Sequence, residues 1–261
     1  MGTALKVAVV GCGAIGSFLI EGLQAEPAIE VTAVFAVPVP FSATVPVARS
    51  VEELLATGPD IVVECAGHQA LKETGEIVIR AGVDLMVASV GALADPILEG
   101  SLRRAASTGG RLIIPGGALG GLDALSTAHE AGLESVEYTG RKAPAAWKGT
   151  AAEDLIDLAS ISSAATFLEC DARTAALRFP QNANVVAAIA LAGVGFERTK
   201  VRLIVDPAAS GNHHTFTACG AFGEISTSIR SITLPSNPKT SVLAPFSLLQ
   251  TIKKRAGLIL A

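Results

Sequence analysis

The residues best suited to chemistry near the start of the chain form the glycine turn Gly11-Cys12-Gly13-Ala14-Ile15-Gly16. The turn follows the apolar run Leu5 to Val10, and apolar residues recur at helical spacing after it, so the pattern predicts strand, tight turn and helix. In that setting the glycines let a pyrophosphate approach the backbone at the positive end of a helix. The turn therefore predicts a dinucleotide site, in which NAD or NADP is bound by Gly11, Gly13, Ala14, Ile15 and Gly16.

The second predicted strand leaves the choice between NAD and NADP open. A carboxylate about 20 residues beyond the turn would bind the ribose hydroxyls, whereas this strand ends Phe35-Ala36-Val37-Pro38. No arginine precedes Arg49 to meet the additional phosphate of NADP. We therefore expect a tolerant or dual specificity.

A second candidate centre is the run Asn212-His213-His214, which opens an alternating stretch predicted to be a strand. Neighbouring side chains on a strand point to opposite faces, so at most one of the two histidines enters a given cleft. Histidine titrates near neutrality and can move protons or activate water. The alternative is a surface or structural histidine. His68, after the third predicted strand, is a weaker candidate near the cofactor.

Candidates for binding the carboxylates of an acidic metabolite lie in two predicted loops. Arg141 and Lys142 follow the predicted strand Ser135 to Thr139, and Lys239 and Thr240 follow a proline. The alternative is that these are ordinary solvated loop residues.

Two asparagines open the predicted helix Asn182 to Leu191. Asparagine is a favoured helix cap, so Asn182 and Asn184 either cap this helix or orient the amide of a nicotinamide through side-chain hydrogen bonds. Both interpretations stay open at the level of sequence.

Composition and charge exclude several classes of protein. The net charge is −4, aromatic residues make up 4% of the chain and no basic block occurs, which argues against a nucleic-acid partner. No apolar stretch is long enough to cross a bilayer and no secretion signal is apparent, so we expect no membrane partner. A small polar metabolite is the expected partner.

The four scattered cysteines and the histidines show no metal-ligand spacing, so no metal is expected. Cys65 ends a predicted strand at the ligand edge, but we expect a packed thiol there rather than a nucleophile. Reduced thiols fit a cytoplasmic location.

Strands and helices alternate along the first part of the chain, which predicts a parallel sheet with ligands at the carboxyl ends of its strands. After Pro115-Gly116-Gly117 the predicted strands become longer and partly alternating. We therefore expect an α/β protein with a Rossmann dinucleotide-binding domain over 1–117, a second α+β domain over 118–234, and a C-terminal helix over 235–261 that returns to the first domain.

Several motifs beyond the glycine turn occur in order along nearly the whole chain. They are GGALGG at 116–121, RKAP at 141–144, FPQNANVVAAIALAG at 179–193, GNHH at 211–214 and PSNPKTS at 235–241. The set resembles the L-aspartate dehydrogenase family. The glycine turn is common to many enzymes, whereas FPQNANVVAA, Asn-x-His and SNPKTS in this order are far more specific.

The resemblance implies a Rossmann lobe and an α+β lobe that carries the substrate site and the contact of a homodimer. It implies NAD(P)-dependent conversion of L-aspartate to iminoaspartate, which hydrolyses to oxaloacetate and ammonia, a reaction that can feed pyridine nucleotide biosynthesis in bacteria. Ala118 and Asn184 fall where the family contacts the dinucleotide, and His214 falls on its active histidine.

The mechanism expected from this resemblance begins with hydride transfer from the aspartate Cα to the nicotinamide. His214, held by Asn212, then helps water to attack the imine. The substrate carboxylates would be gathered by Arg141, Lys142, Lys239 and Thr240.

Two alternatives stay open at this point. The first is another two-lobe dehydrogenase, acting on homoserine or a dihydropicolinate, because its first lobe would look the same. The second is a regulator that senses NAD(H) without turning over a substrate, although no DNA-binding helix pair or basic patch is evident.

Overall fold

The structure is a computed structural model that describes residues 3–36, 45–180, 182–234 and 237–258. For residues 237–239 it describes the backbone alone. It divides into two compact units, one formed by Met1–Gly117 with Ala244–Ala261 and the other by Ala118–Leu243. Sequence analysis begins the C-terminal segment, 235–261, at residue 235, whereas the second unit extends to Leu243.

The first unit is built on a six-stranded parallel sheet with the order β3-β2-β1-β4-β5-β6. In chain order the strands are β1 Leu5–Val10, β2 Ile29–Phe35, β3 Val47–Ala48, β4 Ile61–Glu64, β5 Asp84–Val87 and β6 Leu112–Ile113. The helices between them are α1 Ala14–Gln24, α2 Val51–Ala56, α3 His68–Arg80 and α4 Pro96–Ala106. The strand order reverses at β1, as in doubly wound dinucleotide-binding folds, which confirms the predicted fold class.

Parallel pairing brings the carboxyl ends of the central strands to one edge of this sheet. Val10 of β1 pairs with Glu64 of β4, and Glu64 pairs with Val87 of β5. The residues that follow these strands, Gly11, Cys65 and Ala88, therefore lie along the same edge. This is the edge at which open α/β sheets bind ligands.

The second unit contains a mixed five-stranded sheet with the order β11-β10-β7-β9-β8. Its strands are β7 Leu133–Lys142, β8 Ala165–Asp171, β9 Thr199–Val205, β10 Asn212–Gly220 and β11 Gly223–Ser231, and a separate hairpin pairs β12 Thr233–Leu234 with β13 Asn237–Ser241. Its helices are α5 Leu122–Glu130, α6 Ala172–Arg178 and α7 Ala183–Ala192. Burial alternates along β7 and β10, so one face of the sheet is buried and the other is partly exposed.

The last helix of the chain, α8 Leu243–Arg255, packs against the first unit. Its Leu248 and Ile252 join Val7 of β1 and Leu23 of α1 in one buried cluster, because apolar residues recur on one face of the helix. Near its end, Arg255 pairs with the buried Asp84 at the start of β5. Among the described residues no helix is both long and apolar enough to span a bilayer.

Candidate active site

The glycine turn connects β1 to α1, and two of its glycines are required by the fold itself. Gly11 has φ +101°, and a Cβ there would lie 2.7 Å from the backbone nitrogen of Ala66. A Cβ on Gly16 would lie 2.2 Å from the carbonyl oxygen of Gly11. Neither position can take a side chain unless the backbone moves, because real Cβ atoms do not approach other atoms so closely.

The middle glycine of the turn is different, because no described atom lies within 4 Å of a Cβ built on Gly13. Gly13 is the N-cap of α1, and no side chain caps this helix. The start of α1 therefore has open space beside Gly13 and no side-chain cap on its first N–H groups. A pyrophosphate bound at the positive end of the helix fits this space.

A buried carboxylate that sequence analysis missed holds the neighbouring loops at this edge. Glu64 is fully buried at the end of β4, and its carboxylate accepts hydrogen bonds from the backbone N–H groups of Ala66 and Gly67, both at 2.8 Å, and from Ser89. Burial raises the pKa of Glu64, whereas these hydrogen bonds lower it. Glu64 therefore fixes Ala66, the residue against which Gly11 packs.

The end of β2 leaves the choice between NAD and NADP open in the structure as well. The strand ends at Phe35 and is followed by the buried Ala36, so no carboxylate stands at that point. Val37 and Pro38 lie outside the described residues.

Cys65 is a packed thiol, as the sequence predicts. Its Sγ donates weakly to the carbonyl oxygens of Val10 at 3.4 Å and Gly11 at 3.6 Å. Burial raises its pKa well above the ordinary value, so the thiolate is disfavoured. His68 is the first residue of α3.

His214 lies on the buried face of β10 in the second unit, where 5% of its surface is exposed. Its Nδ1 lies 2.8 Å from the hydroxyl oxygen of the buried Tyr138 on β7. Burial, followed by the positive charges of Lys142 and His213, lowers the pKa of His214 to about 3. The imidazole is therefore neutral at physiological pH, which corrects the expectation that this group titrates near neutrality.

Lys142 lies on the same buried face as His214. Its ammonium donates to the side-chain oxygen of Asn182 and lies 5.3 Å from the ring centroid of Trp147. No carboxylate among the described residues forms an ion pair with it. Burial lowers the pKa of Lys142 to about 8, because the charged form loses hydration. Asn182 thus binds Lys142 and makes no side-chain cap on α7.

Arg141 does not join this cluster. The sequence places Arg141 and Lys142 together in a loop, but β7 extends to Lys142, so the two side chains point to opposite faces. Arg141 pairs with Asp206 at 3.0 Å and lies beside His213 on the partly exposed face. The structure therefore separates Arg141 from Lys142, the basic residue that the sequence groups with it as a candidate for binding carboxylates.

The remaining predicted residues of the second unit lie near the ends of its strands and helices. Asn212 is buried two residues before His214, but the hydrogen bond that holds the imidazole comes from Tyr138 rather than from Asn212. Thr240 lies in β13, whose Ser241 donates to the Ser231 hydroxyl at 2.9 Å, and Ser231 pairs with Asn212.

Three further residues predicted to bind substrate or cofactor are Lys239, Ala118 and Asn184. The side chain of Lys239 lies outside the described residues. Ala118 is the buried first residue of the second unit, and Asn184 is exposed in the first turn of α7. Within the described ranges, no group of three or more potential metal ligands occurs.

Both units of the chain are similar to known protein families. Residues 123–255 match the family described as "Aspartate dehydrogenase, C-terminal", and residues 11–115 match "Homoserine dehydrogenase, NAD binding domain". An L-aspartate dehydrogenase from Cupriavidus necator is 42% identical over 97% of this chain and 98% of its own length. The chain belongs to the aspartate dehydrogenase family.

Further relatives extend this family likeness to structure. An L-aspartate dehydrogenase from Pseudomonas aeruginosa is 41% identical over 98% of this chain and 99% of its own length. The crystal structure of aspartate dehydrogenase from Thermotoga maritima has 25% sequence identity and a TM-score of 0.80, and covers 98% of this chain and 99% of that one. The homoserine dehydrogenase match concerns the NAD-binding half alone, so it does not favour homoserine as a substrate.

The contrast between Gly13 and Gly16 gives a test of the cofactor site. We expect Gly13→Ala to change the free energy of unfolding by less than about 1 kcal/mol but to weaken NADH binding at least tenfold, because its methyl group occupies the space for a pyrophosphate. Gly16→Ala should lower the free energy of unfolding by about 2 kcal/mol, since the Gly11 carbonyl must move. Urea unfolding and NADH fluorescence titration measure the two effects. Unchanged NADH affinity in Gly13→Ala would remove the turn from the cofactor site.

Proposed function

We propose that this chain is an L-aspartate dehydrogenase that converts L-aspartate to iminoaspartate, which hydrolyses to oxaloacetate and ammonia, with NAD or NADP as cofactor. The observation that carries the proposal is the buried Lys142 ammonium, which lies on the same sheet face as His214 without a carboxylate partner among the described residues. The family relationship, which covers nearly the whole chain, supports the same substrate.

The cofactor would be held first by the turn between β1 and α1. Gly13 leaves space for the pyrophosphate, and the backbone N–H groups of Ala14 and Ile15 at the start of α1 would donate to it. Ala118 and Asn184 are proposed as further contacts on the strength of the resemblance. The chemistry supplied by the bound nicotinamide is acceptance of a hydride from the substrate.

Lys142 would bind one carboxylate of the substrate. A buried ammonium attracts an anion strongly because little water screens it, and neither the Asn182 oxygen nor the Trp147 ring neutralises its charge. The second carboxylate would be bound near Thr240 and Lys239, since β13 is tied through Ser231 to the end of β10 that carries Asn212. Arg141 has no place in this site, because Asp206 binds it on the other face.

His214 would make a hydrogen bond to the oxygen that enters or leaves the reacting carbon. Its Nδ1 is occupied by Tyr138, so Nε2 is the nitrogen left for a substrate. The ring stays neutral near pH 7, so it serves this oxygen as a polar group and Lys142 carries the positive charge. Asn212 would complete the polar face beside it.

We also propose that two copies of the chain form a homodimer in the cytoplasm. The support is the resemblance to the family, which implies that the second unit carries the contact of a homodimer. The candidate surface is the partly exposed face of the five-stranded sheet, which carries threonines and the exposed pair Arg202 and Glu169. The four cysteines are free thiols, as expected for a reducing compartment. Sedimentation equilibrium at micromolar concentration measures the assembly, and a monomer under those conditions would contradict the dimer.

The proposed activity is tested by offering the purified protein oxaloacetate, ammonium and either NADH or NADPH, and then L-aspartate with the oxidised cofactors. We expect absorbance at 340 nm to change in both directions with these substrates. Homoserine and glutamate serve as controls. Turnover of homoserine in preference to aspartate, or cofactor binding without any turnover, would overturn the proposal.

The two adjacent histidines provide a matched pair of variants on one strand. His214→Ala should lower kcat by about 100-fold or more, because the reacting oxygen loses its hydrogen-bond partner, while the dissociation constant of NADH changes little. His213→Ala should retain near-normal turnover, because His213 lies on the opposite face beside Arg141. Steady-state kinetics and NADH titration separate the effects. Full activity in His214→Ala would exclude this residue from the mechanism.

The lowered pKa of Lys142 predicts how substrate binding depends on pH. Below its pKa of about 8 the ammonium carries the charge that binds a carboxylate, and above it this charge is lost. Binding of succinate, a dicarboxylate without an amine, should therefore weaken as the pH rises from 7.5 to 9.5. Lys142→Met should bind succinate weakly at every pH, since the charge is absent.

Inhibition constants for succinate across this pH range measure the effect. The control is Lys148→Met, because Lys148 is an exposed lysine six residues after Lys142, outside β7, and should leave the pH profile unchanged. A pH-independent succinate affinity in the unmodified protein would contradict the role of Lys142.

A further inference from the structure

The single tyrosine of the chain is buried against the proposed catalytic histidine. Tyr138 is 2% exposed and His214 is 5% exposed, and the hydroxyl oxygen lies 2.8 Å from Nδ1. The two rings lie nearly parallel, with an angle of 19° between their planes. In the proposed function Tyr138 occupies Nδ1, and the contact also bears on which ring nitrogen of His214 carries the hydrogen.

The sheet register and one glycine create this contact. Antiparallel pairing of β7 with β10 places Gly140 opposite His214, and Tyr138 lies two residues before Gly140 on the same face. A Cβ on Gly140 would lie 2.7 Å from the Tyr138 hydroxyl oxygen. The absence of a side chain at position 140 therefore provides the space through which the phenol reaches Nδ1.

The direction of this hydrogen bond follows from what surrounds the hydroxyl. Among the described residues, Nδ1 of His214 is the one acceptor within hydrogen-bond distance of it. Burial raises the pKa of Tyr138 above its ordinary value, so the hydroxyl keeps its proton. A buried O–H group that donates to nothing is costly. The arrangement that satisfies the hydroxyl is donation to an unprotonated Nδ1.

We propose that Tyr138 is a positioning residue that donates its phenolic hydrogen to Nδ1 of His214 and so fixes the ring as the neutral Nε2–H tautomer. In a neutral imidazole one nitrogen carries the hydrogen and the other accepts, so occupation of Nδ1 as an acceptor places the hydrogen on Nε2. His214 then presents a hydrogen-bond donor to the substrate, not a base.

This inference rests on the proposed function for its chemical consequence. An N–H donor suits the oxygen on the reacting carbon, which is the carbonyl oxygen of oxaloacetate or the hydroxyl oxygen of the ammonia adduct. As ammonia adds to the carbonyl, negative charge develops on that oxygen, and the hydrogen bond from Nε2 stabilises it. The added nitrogen gives one of its own protons to this oxygen, which yields the neutral hydroxyl adduct. The hydrogen of His214 stays on Nε2, so the tautomer is the same before and after turnover.

The tautomer can be measured directly by NMR on protein with 15N-labelled histidine. The chain has four histidines, and the spectrum of His214→Gln identifies the signals of residue 214. We expect Nδ1 of His214 to show the shift of an unprotonated nitrogen and Nε2 that of a protonated one, from pH 6 to pH 9. A protonated Nδ1 in the unmodified protein would overturn the proposal.

Two variants test the role of the tyrosine by different routes. Tyr138→Phe removes the donor but keeps the ring, and Gly140→Ala keeps the donor but pushes it away from Nδ1. We expect each to populate the Nδ1–H tautomer and to lower kcat by about tenfold, while the NADH dissociation constant is unchanged. The control is Thr139→Ala, which lies between them on the opposite face and should keep both tautomer and kcat.

The outcomes separate this inference from the proposed function. An unchanged His214 tautomer in both variants would overturn the role of Tyr138, whatever the substrate is. A tautomer that behaves as expected in a protein that does not turn over L-aspartate would support the positioning role and would refute the substrate assignment alone. Because the NMR measurement needs no turnover, a variant with low activity still gives a decisive result.

Discussion

Burial of a cation without a carboxylate partner among the described residues is the constraint on which the proposed chemistry depends. Lys142 lies on the covered face of β7, where Asn182 and Trp147 surround it and water is scarce. Desolvation lowers its pKa to about 8 and, together with this charge, keeps His214 neutral. The face therefore combines one positive charge with one neutral polar ring, an arrangement suited to a dianionic substrate whose reacting oxygen needs a donor.

The alternation of side chains along two strands decides which residues take part. Lys142 and His214 lie on the buried face of the sheet, whereas Arg141 and His213, their immediate neighbours, lie on the other. In the first unit the fold does not require a glycine at position 13, because a Cβ built there has no described atom within 4 Å. The buried ammonium of Lys142 in the second unit and the glycine at position 13 in the first are thus two features that packing of the fold alone does not explain.

The sequence predicts those features that depend on local pattern. The glycine turn follows an apolar strand and starts a helix, so its structure follows from a few adjacent residues. Tyr138 could not be predicted as the partner of His214, because 76 residues separate them and only the register of β7 with β10 brings them together. For Lys142 the sequence predicts a loop, because a charged pair at a strand end resembles loop sequence, whereas β7 extends to this residue. Glu64 lies in the apolar run DIVVEC, where the signal in the sequence is an acidic residue that directly follows the apolar residues of a predicted buried strand.

The central claim, that burial makes Lys142 an uncompensated cation of unusually low pKa, is tested most directly by titrating its side chain. Lysine labelled with 13C at Cε, with Lys142→Met to identify the signal, reports the protonation of this ammonium in the free protein. We expect a midpoint near pH 8, which moves upward when succinate is bound because an anion favours the charged form. A midpoint at the ordinary lysine value of 10.5, unaffected by succinate, would contradict the account.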